Sequence, residues 1–208
     1  MHNVIFFLSI LFLSYLIGSF PTAYILVRIL KKQDIRKLGS GNVGATNASR
    51  ILGKPAGLLV LLIDILKGII CVLFLGDYLL DKMGSSFYYL RAVLGFLAVA
   101  GHNWPIFLNF KGGKGVATTF GVLLGLALRI KGLWWILLSC FLVWIIALFI
   151  SRIVSLASIS TAIILPFLMH FFKQPKELVL LSSIFSFFIF FRHIPNLKRI
   201  SKGKEPRI

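Results

Sequence analysis

Three polar stretches interrupt an otherwise apolar chain, and their residue types suit the gripping of phosphate. They are Gly39-Ser40-Gly41-Asn42-Val43-Gly44-Ala45-Thr46-Asn47, Lys111-Gly112-Gly113-Lys114-Gly115-Val116-Ala117-Thr118 and His193-Ile194-Pro195-Asn196. Glycines let successive backbone N–H groups converge on one anion, and Lys or Arg adds fixed positive charge. The first stretch carries the side-chain donors Ser40, Asn42, Thr46 and Asn47 and is followed by Arg50, more polar equipment than a passive loop needs. The second leads into an apolar run that should be helical from near Val116. Lys114 therefore stands where the free N–H groups and dipole of a helix N-terminus would hold a phosphate. In the third, His193 and Asn196 are spaced to share a helix face, and a histidine there can orient a hydroxyl or accept a proton near neutral pH.

Two nucleotide-binding readings fail on context. Gly39-x-Gly41-x-x-Gly44, with Asp64 further on, has the letters of the dinucleotide fingerprint. That fingerprint needs a strand before it and a βαβ unit around it, whereas here apolar membrane-like runs stand on both sides. Lys111–Gly115 is not a P-loop, because Gly115 replaces the Ser or Thr and the upstream glycine is missing. Carboxylates are few (Asp34, Asp64, Asp77, Asp81, Glu177 and Glu205) and form no paired-aspartate cluster. Cys71 and Cys140 lie in separate apolar runs, with neither CxxC spacing nor a His/Cys cluster. No metal or other cofactor is expected.

The elements that must position these stretches are membrane helices. Of 208 residues 58% are apolar and 14% charged, and the mean hydropathy is +0.94; a soluble globule is far more polar. Apolar segments fall at roughly 4–30, 56–76, 87–108, 116–130, 133–150, 158–172 and 178–192, room for about seven spans. The first run is too long for a signal peptide and has no positive region ahead of it, so it should stay as a span. The chain therefore reads as an all-α integral membrane protein of about seven transmembrane helices, a single domain over 1–208.

The net charge of +17 follows from the positive-inside bias of such proteins and does not call for a nucleic-acid partner; nothing in the chain asks for an obligate protein partner. Connections near 31–55, 109–115, 151–157 and 193–208 hold most Lys and Arg, against Lys82, Arg91, Arg129, Lys131, Lys173 and Lys176 on the other side. That bias puts the N-terminus outside and the C-terminus in the cytoplasm. Both glycine-rich loops, the Val154-Ser155-Leu156-Ala157-Ser158 connection and the His193 turn then share the cytoplasmic face. Asp64 and Lys67, three apart within one apolar segment, should pair and face protein. Pro21 and Pro105 should interrupt spans one and three. His102 is expected to line a cavity or pack between helices, while His2 and His170 have no polar company.

Taken in order, Gly39 to Asn47 with Arg50, Gly101-His102 ahead of Phe110-Lys-Gly-Gly-Lys-Gly-Val-Ala-Thr118, Ser155-Leu-Ala-Ser158 and Arg192-His193-x-x-Asn196 resemble the bacterial acyl-phosphate:glycerol-3-phosphate acyltransferases. The resemblance runs from Gly18 to the end of the chain. It implies a seven-span enzyme of the inner membrane that moves a fatty acyl group from acyl-phosphate to the sn-1 hydroxyl of glycerol-3-phosphate. The products would be lysophosphatidic acid and phosphate, an early step of phospholipid synthesis. It further implies catalytic roles for Ser40, His193 and Asn196. Substrate binding would fall to Gly41, Asn42, Gly44, Thr46, Asn47, Arg50, Lys114 and Ser158, with Arg50 and Lys114 taking the glycerol-3-phosphate. One departure is visible, in that Ile194 and Pro195 separate the His and Asn where the family usually has polar residues.

The chemistry agrees with the residues. Neither His102 nor His193 is followed five residues on by Asp; Phe107 and Lys198 stand there, so the His/Asp pair of acyl-CoA-dependent glycerolipid acyltransferases is absent. Acyl-phosphate is a mixed anhydride, already activated. The protein has to hold two phosphates, align a hydroxyl with the carbonyl and stabilise an oxyanion. Direct transfer is expected over an acyl-Ser40 intermediate. The competing class, a transporter for a phosphorylated solute, would have access from both faces and similar halves, and the chain shows no internal repeat. A structural membrane partner would leave the donor-rich loops unexplained.

Overall fold

In the computed structural model, residues 2–83 and 89–207 are described, and every regular element among them is helical. Residues 87–88 of the third apolar segment, and residues 1 and 208, lie outside that description. Backbone packing groups the chain into two compact units, 1–126 and 127–208.

The first unit opens with α1 (His2–Ser19) and α2 (Thr22–Lys31), which meet at a 42° bend. Pro21 lacks an N–H and cannot carry the helical ladder across the junction. Next comes α3 (Ala45–Leu52), which starts from Gly44 and stops at Gly53. By its sequence this stretch falls in a connection; about two turns of helix form there, with Asn47 and Ala48 burying one side. A long apolar helix runs over Lys54–Lys82, built from α4 (Lys54–Ile70), a π-helical turn (Cys71–Leu75) and α5 (Gly76–Met83). The unit closes with α6 (Leu90–Asn103) and α7 (Val116–Ala127). Pro105 lies just past the end of α6 and opens a short 3-10 turn, Ile106–Leu108.

Glycine lets these helices approach closely where lipid offers no hydrophobic drive. A Cβ on Gly18 would run into the Ala98 carbonyl, and one on Gly101 into the Tyr15 carbonyl, so α1 and α6 touch backbone to backbone. Gly68 against Thr118, and Gly121 against Ile65, do the same for α4 and α7.

The second unit contains α8 (Leu133–Ser151), α9 (Val154–Phe171), α10 (Lys176–Arg192) and α11 (Ile194–Ile200). The last two meet at a 53° bend. Packing runs α8 on α9 and α9 on α10, with Phe185 fully buried. Large apolar side chains such as Phe149, Ile150 and Phe171 point outward; facing lipid, they need no protein cover.

The chain is an all-helical, multi-pass integral membrane protein. Among the described residues three helices are long and apolar enough to cross a bilayer alone, and five if each bent pair counts as one span. The other two apolar segments form α6 and α7, of 14 and 12 residues, against the ~20 of a perpendicular span.

Candidate functional site

The first glycine-rich stretch is held by two side chains. Asn47 is buried beneath it; its Oδ1 accepts the Ser40 N–H at 2.9 Å, and its Nδ2 donates to the Leu38 and Asn42 carbonyls at 3.1 and 2.9 Å. Both amide hydrogens are thus engaged by the loop. Gly39 and Gly41 take φ of +55° and +72°, the left-handed region in which a Cβ is strained. The loop is anchored on its N-terminal side by Asp34, which accepts the Arg36 N–H at 2.9 Å and grips the Arg36 guanidinium at 2.7–3.1 Å. The Arg36 hydrogen bonds hold the Asp34 carboxyl below its ordinary value of 3.8, against a smaller opposing effect of burial. Arg36 Nη1 also donates to the Leu108 carbonyl at 3.3 Å, tying this loop to the turn ahead of Lys111. Ser40, Thr46 and Arg50 are left exposed, with Gly41, Asn42 and Gly44 half-buried.

The second stretch lies on the end of α6. The Gly113 N–H donates to the His102 carbonyl at 3.0 Å, and the Gly112 N–H to that of Asn103 at 3.2 Å. Half-buried Lys114 follows, two residues before α7 begins. Beneath the loop sits a buried charge cluster. Lys67 Nζ lies 2.6 Å from Asp64 Oδ1 and donates to the Phe20 carbonyl at 2.6 Å, at the break between α1 and α2. Thr22 donates to the same Asp64 oxygen at 3.5 Å, and His102 Nδ1 is 3.8 Å from it. The pairing expected from the Asp64/Lys67 spacing is present. A cavity of about 10 Å3, room for about one water, is lined by Ser19, Val43, Asp64, Lys67, His102 and Gly113 among others. Both glycine-rich loops therefore border the same small space.

The third stretch belongs to the second unit. His193 ends α10 and is buried; its Nδ1 lies 2.7 Å from the Ile189 carbonyl. A carbonyl only accepts, so Nδ1 carries the hydrogen, and in the neutral ring Nε2 is then the acceptor. Pro195 sits in the first turn of α11, where its missing N–H costs nothing. Asn196 is buried and its N–H donates to the His193 carbonyl at 2.9 Å.

The Asn196 amide donates to Glu205 Oε1 at 2.5 Å, which also accepts from Ser155 at 2.8 Å. Arg199 donates to Glu205 Oε2 at 2.7 Å. Burial works to raise the Glu205 carboxyl, but the hydrogen bonds from Asn196, Arg199 and Ser155 outweigh it and hold it below the ordinary 4.5. Ser158 donates to the Val154 carbonyl at 2.9 Å and accepts from Trp144 at 3.4 Å.

In the first unit the structure brings Ser40, Gly41, Asn42, Gly44, Thr46, Asn47 and Arg50 onto one loop and its helix, coupled to the Lys114 loop through Arg36 and the shared cavity. In the second it joins Asn196 to Ser155 through Glu205, with His193 one turn away. Sequence reasoning passed over Asp34, Arg36 and Glu205. The available signals were an Asp two residues before an Arg at the mouth of the glycine-rich loop, and one acidic residue in a basic tail.

A sequence model of the family described as glycerol-3-phosphate acyltransferase matches residues 8–203. The chain is 42% identical over 205 residues to the glycerol-3-phosphate acyltransferase of Prochlorococcus marinus (strain NATL1A), covering 97% of this chain and 98% of that one. It is 45% identical over 198 residues to glycerol-3-phosphate acyltransferase 2 of Moorella thermoacetica, covering 95% of each. Its fold is similar to crystal structures of PlsY (YgiH), an integral membrane glycerol 3-phosphate acyltransferase. The glycerol 3-phosphate form has a TM-score of 0.84 at 35% identity, and the lysophosphatidic acid form 0.81 at 34%; each match covers 97% of this chain and 94% of that one.

Proposed function

Because this chain belongs to the glycerol-3-phosphate acyltransferase family, we propose that it transfers a fatty acyl group from acyl-phosphate to the sn-1 hydroxyl of glycerol-3-phosphate, releasing lysophosphatidic acid and phosphate. The observation that carries the reading is the tie between the two glycine-rich segments, made where Arg36, ahead of the Ser40 loop and of Arg50 on α3, donates to the Leu108 carbonyl ahead of the Lys114 loop. Similar structures are described with glycerol 3-phosphate and with lysophosphatidic acid, which supports the acceptor and the product. The donor follows from the absence of a His-x-x-x-x-Asp pair and from the modest demands of an anhydride that is activated before it binds.

In this reading Arg50 and Lys114 bind the glycerol-3-phosphate phosphate, and charge-assisted hydrogen bonds fix its position. The N–H groups of Asn42 and Gly44, with the Thr46 hydroxyl, hold phosphate oxygens. Gly41 shapes the loop, its own N–H being donated to the Leu38 carbonyl at 2.9 Å, and Ser158 joins them by turning its hydroxyl away from the Val154 carbonyl. Asn47 keeps the first loop in shape through its three loop hydrogen bonds. Ser40 and Asn196 supply hydrogen bonds at the reacting carbonyl, stabilising charge that develops on its oxygen. His193 Nε2 takes the proton of the sn-1 hydroxyl as that oxygen attacks the carbonyl carbon. The carbonyl carbon–oxygen bond to phosphate breaks, and phosphate leaves with the electron pair. No cofactor is needed.

The reading places seven spans in a bacterial inner membrane, with the N-terminus outside, the C-terminus and the active site on the cytoplasmic side, and residues 1–208 acting as one domain. It is supported by the Lys and Arg excess in four connections. The deciding experiment incubates purified protein with acyl-phosphate and labelled glycerol-3-phosphate. Labelled lysophosphatidic acid should form with acyl-phosphate and not with acyl-CoA; efficient turnover of acyl-CoA would mean the wrong donor class.

A further inference from the structure

We propose that His102 is a positioning residue: seated against the buried Asp64–Lys67 pair, it sets the shape of the Lys111–Gly115 loop and so the place of Lys114. The inference rests on the phosphate-binding role given to Lys114 above.

His102 meets the loop with both its backbone and its ring. Its carbonyl accepts the Gly113 N–H at 3.0 Å. A Cβ on Gly113 would collide with the imidazole at Nε2, and a Cβ on Gly112 with the His102 carbonyl and the Pro105 ring. The loop is therefore laid directly on the end of α6, with His102 under Gly113 and Asn103 beside it, at a distance that only glycine permits. Lys114 is the next residue along, so any shift at Gly113 moves the root of its side chain.

Behind the ring is a rigid support. His102 Nδ1 faces Asp64 Oδ1 at 3.8 Å. Asp64 is held by Lys67 at 2.6 Å and by Thr22 at 3.5 Å, and Lys67 is held by the Phe20 carbonyl at 2.6 Å. The side chains of Asp64 and Lys67 are only 3% and 5% exposed, and a charge at such depth stays where its partner is. The chain of contacts runs from the break between α1 and α2, through α4, to the end of α6 and into the loop. Three helices thus fix the base of a substrate-holding element, as a site needs when its groups must stay within about 0.5 Å of the productive place.

A double-mutant cycle tests this. His102→Ala should raise KM for glycerol-3-phosphate about ten-fold, with kcat within about three-fold and KM for acyl-phosphate unchanged. Lys114→Ala should raise the same KM, and adding His102→Ala to it should cost less than about two-fold more, because both changes remove one phosphate contact. Fully multiplicative losses, or a fall in kcat with KM for glycerol-3-phosphate untouched, would overturn the positioning role. If Lys114→Ala alone leaves that KM unchanged, the assignment of Lys114 is what fails, and the role of His102 falls with it. Should His102→Ala not fold in detergent, the same cycle is run with His102→Gln, and melting temperature is recorded for every variant.

Discussion

Glu205 stands nine residues beyond Asn196 and accepts its amide at 2.5 Å, so the polar tail of the chain folds back onto the third motif. The same carboxylate takes Ser155 at 2.8 Å and Arg199 at 2.7 Å. A residue with no place in any of the three motifs therefore orients one that has.

Glu205→Gln removes the charge from this cluster and leaves Arg199 without its partner, which should cost about 1–3 kcal/mol of stability. The pH dependence follows from the depressed carboxyl. Its folded-state value lies below the ordinary 4.5, so its contribution is fully present above that value and is lost as pH falls through the folded-state value. Wild-type melting temperature, measured in detergent from neutral pH down through the carboxylate range, should decline at the acid end. Glu205→Gln should flatten that decline; an unchanged acid slope would show that Glu205 does not set it.

Arg50→Ala and Lys114→Ala each remove a charge-assisted contact of about 1.5–3 kcal/mol. Each should lower kcat/KM by roughly ten- to a hundred-fold, mostly through a higher KM for glycerol-3-phosphate. Steady-state kinetics with the acceptor varied would check this. Unchanged acceptor dependence in both variants would leave the two residues as topological anchors.

Ser40→Ala and His193→Ala should each reduce kcat by about 10²–10⁴ with melting temperature preserved. Direct transfer predicts ternary-complex kinetics, with no hydroxylamine-sensitive ester left on the protein after incubation with acyl-phosphate alone. Trapping an acyl group on Ser40 would replace direct transfer with a covalent mechanism. Near-wild-type turnover in His193→Ala would remove that residue from the chemistry.

Reporter fusions after Asn47, Lys114, Ser155 and Lys204 should all report the cytoplasm. A periplasmic signal from any one of them would separate the polar connections and end the reading of a common cytoplasmic face.

The helices and the pairing of Asp64 with Lys67 were legible in the sequence because they depend on neighbours a few residues apart. The apolar runs became helices, α7 began at Val116, and three-residue spacing put the two charges together. Contacts across long sequence separations left no such trace. The donor list of the first loop did not distinguish Asn47, which faces inward and builds the loop, from Ser40, which is left exposed. His102, expected to line a cavity or pack between helices, does line the small cavity; its contact with Gly113 was not legible, because it depends on how α6 ends and a period cannot report that. The interruption of the run 4–30 at Pro21 was legible too, because a residue without an N–H breaks the ladder wherever it stands. Glu205 was counted among the carboxylates but given no role, because its three partners lie on two other elements, Ser155 on α9 and Asn196 and Arg199 on α11.

The bond from Lys67 to the Phe20 carbonyl spans 47 residues, and this bears on the order in which the protein is built. Synthesis proceeds from the N-terminus, so the first span enters the bilayer while Lys67 is still unmade and the carbonyl at its break has no such donor. That oxygen already accepts the Thr22 N–H at 3.1 Å, so what the second span adds is a charged donor to its remaining lone pair. Asp64 and Lys67 enter within one turn of each other, so neither charge crosses alone. The break in the first span therefore gains its charged partner only once the second has been made.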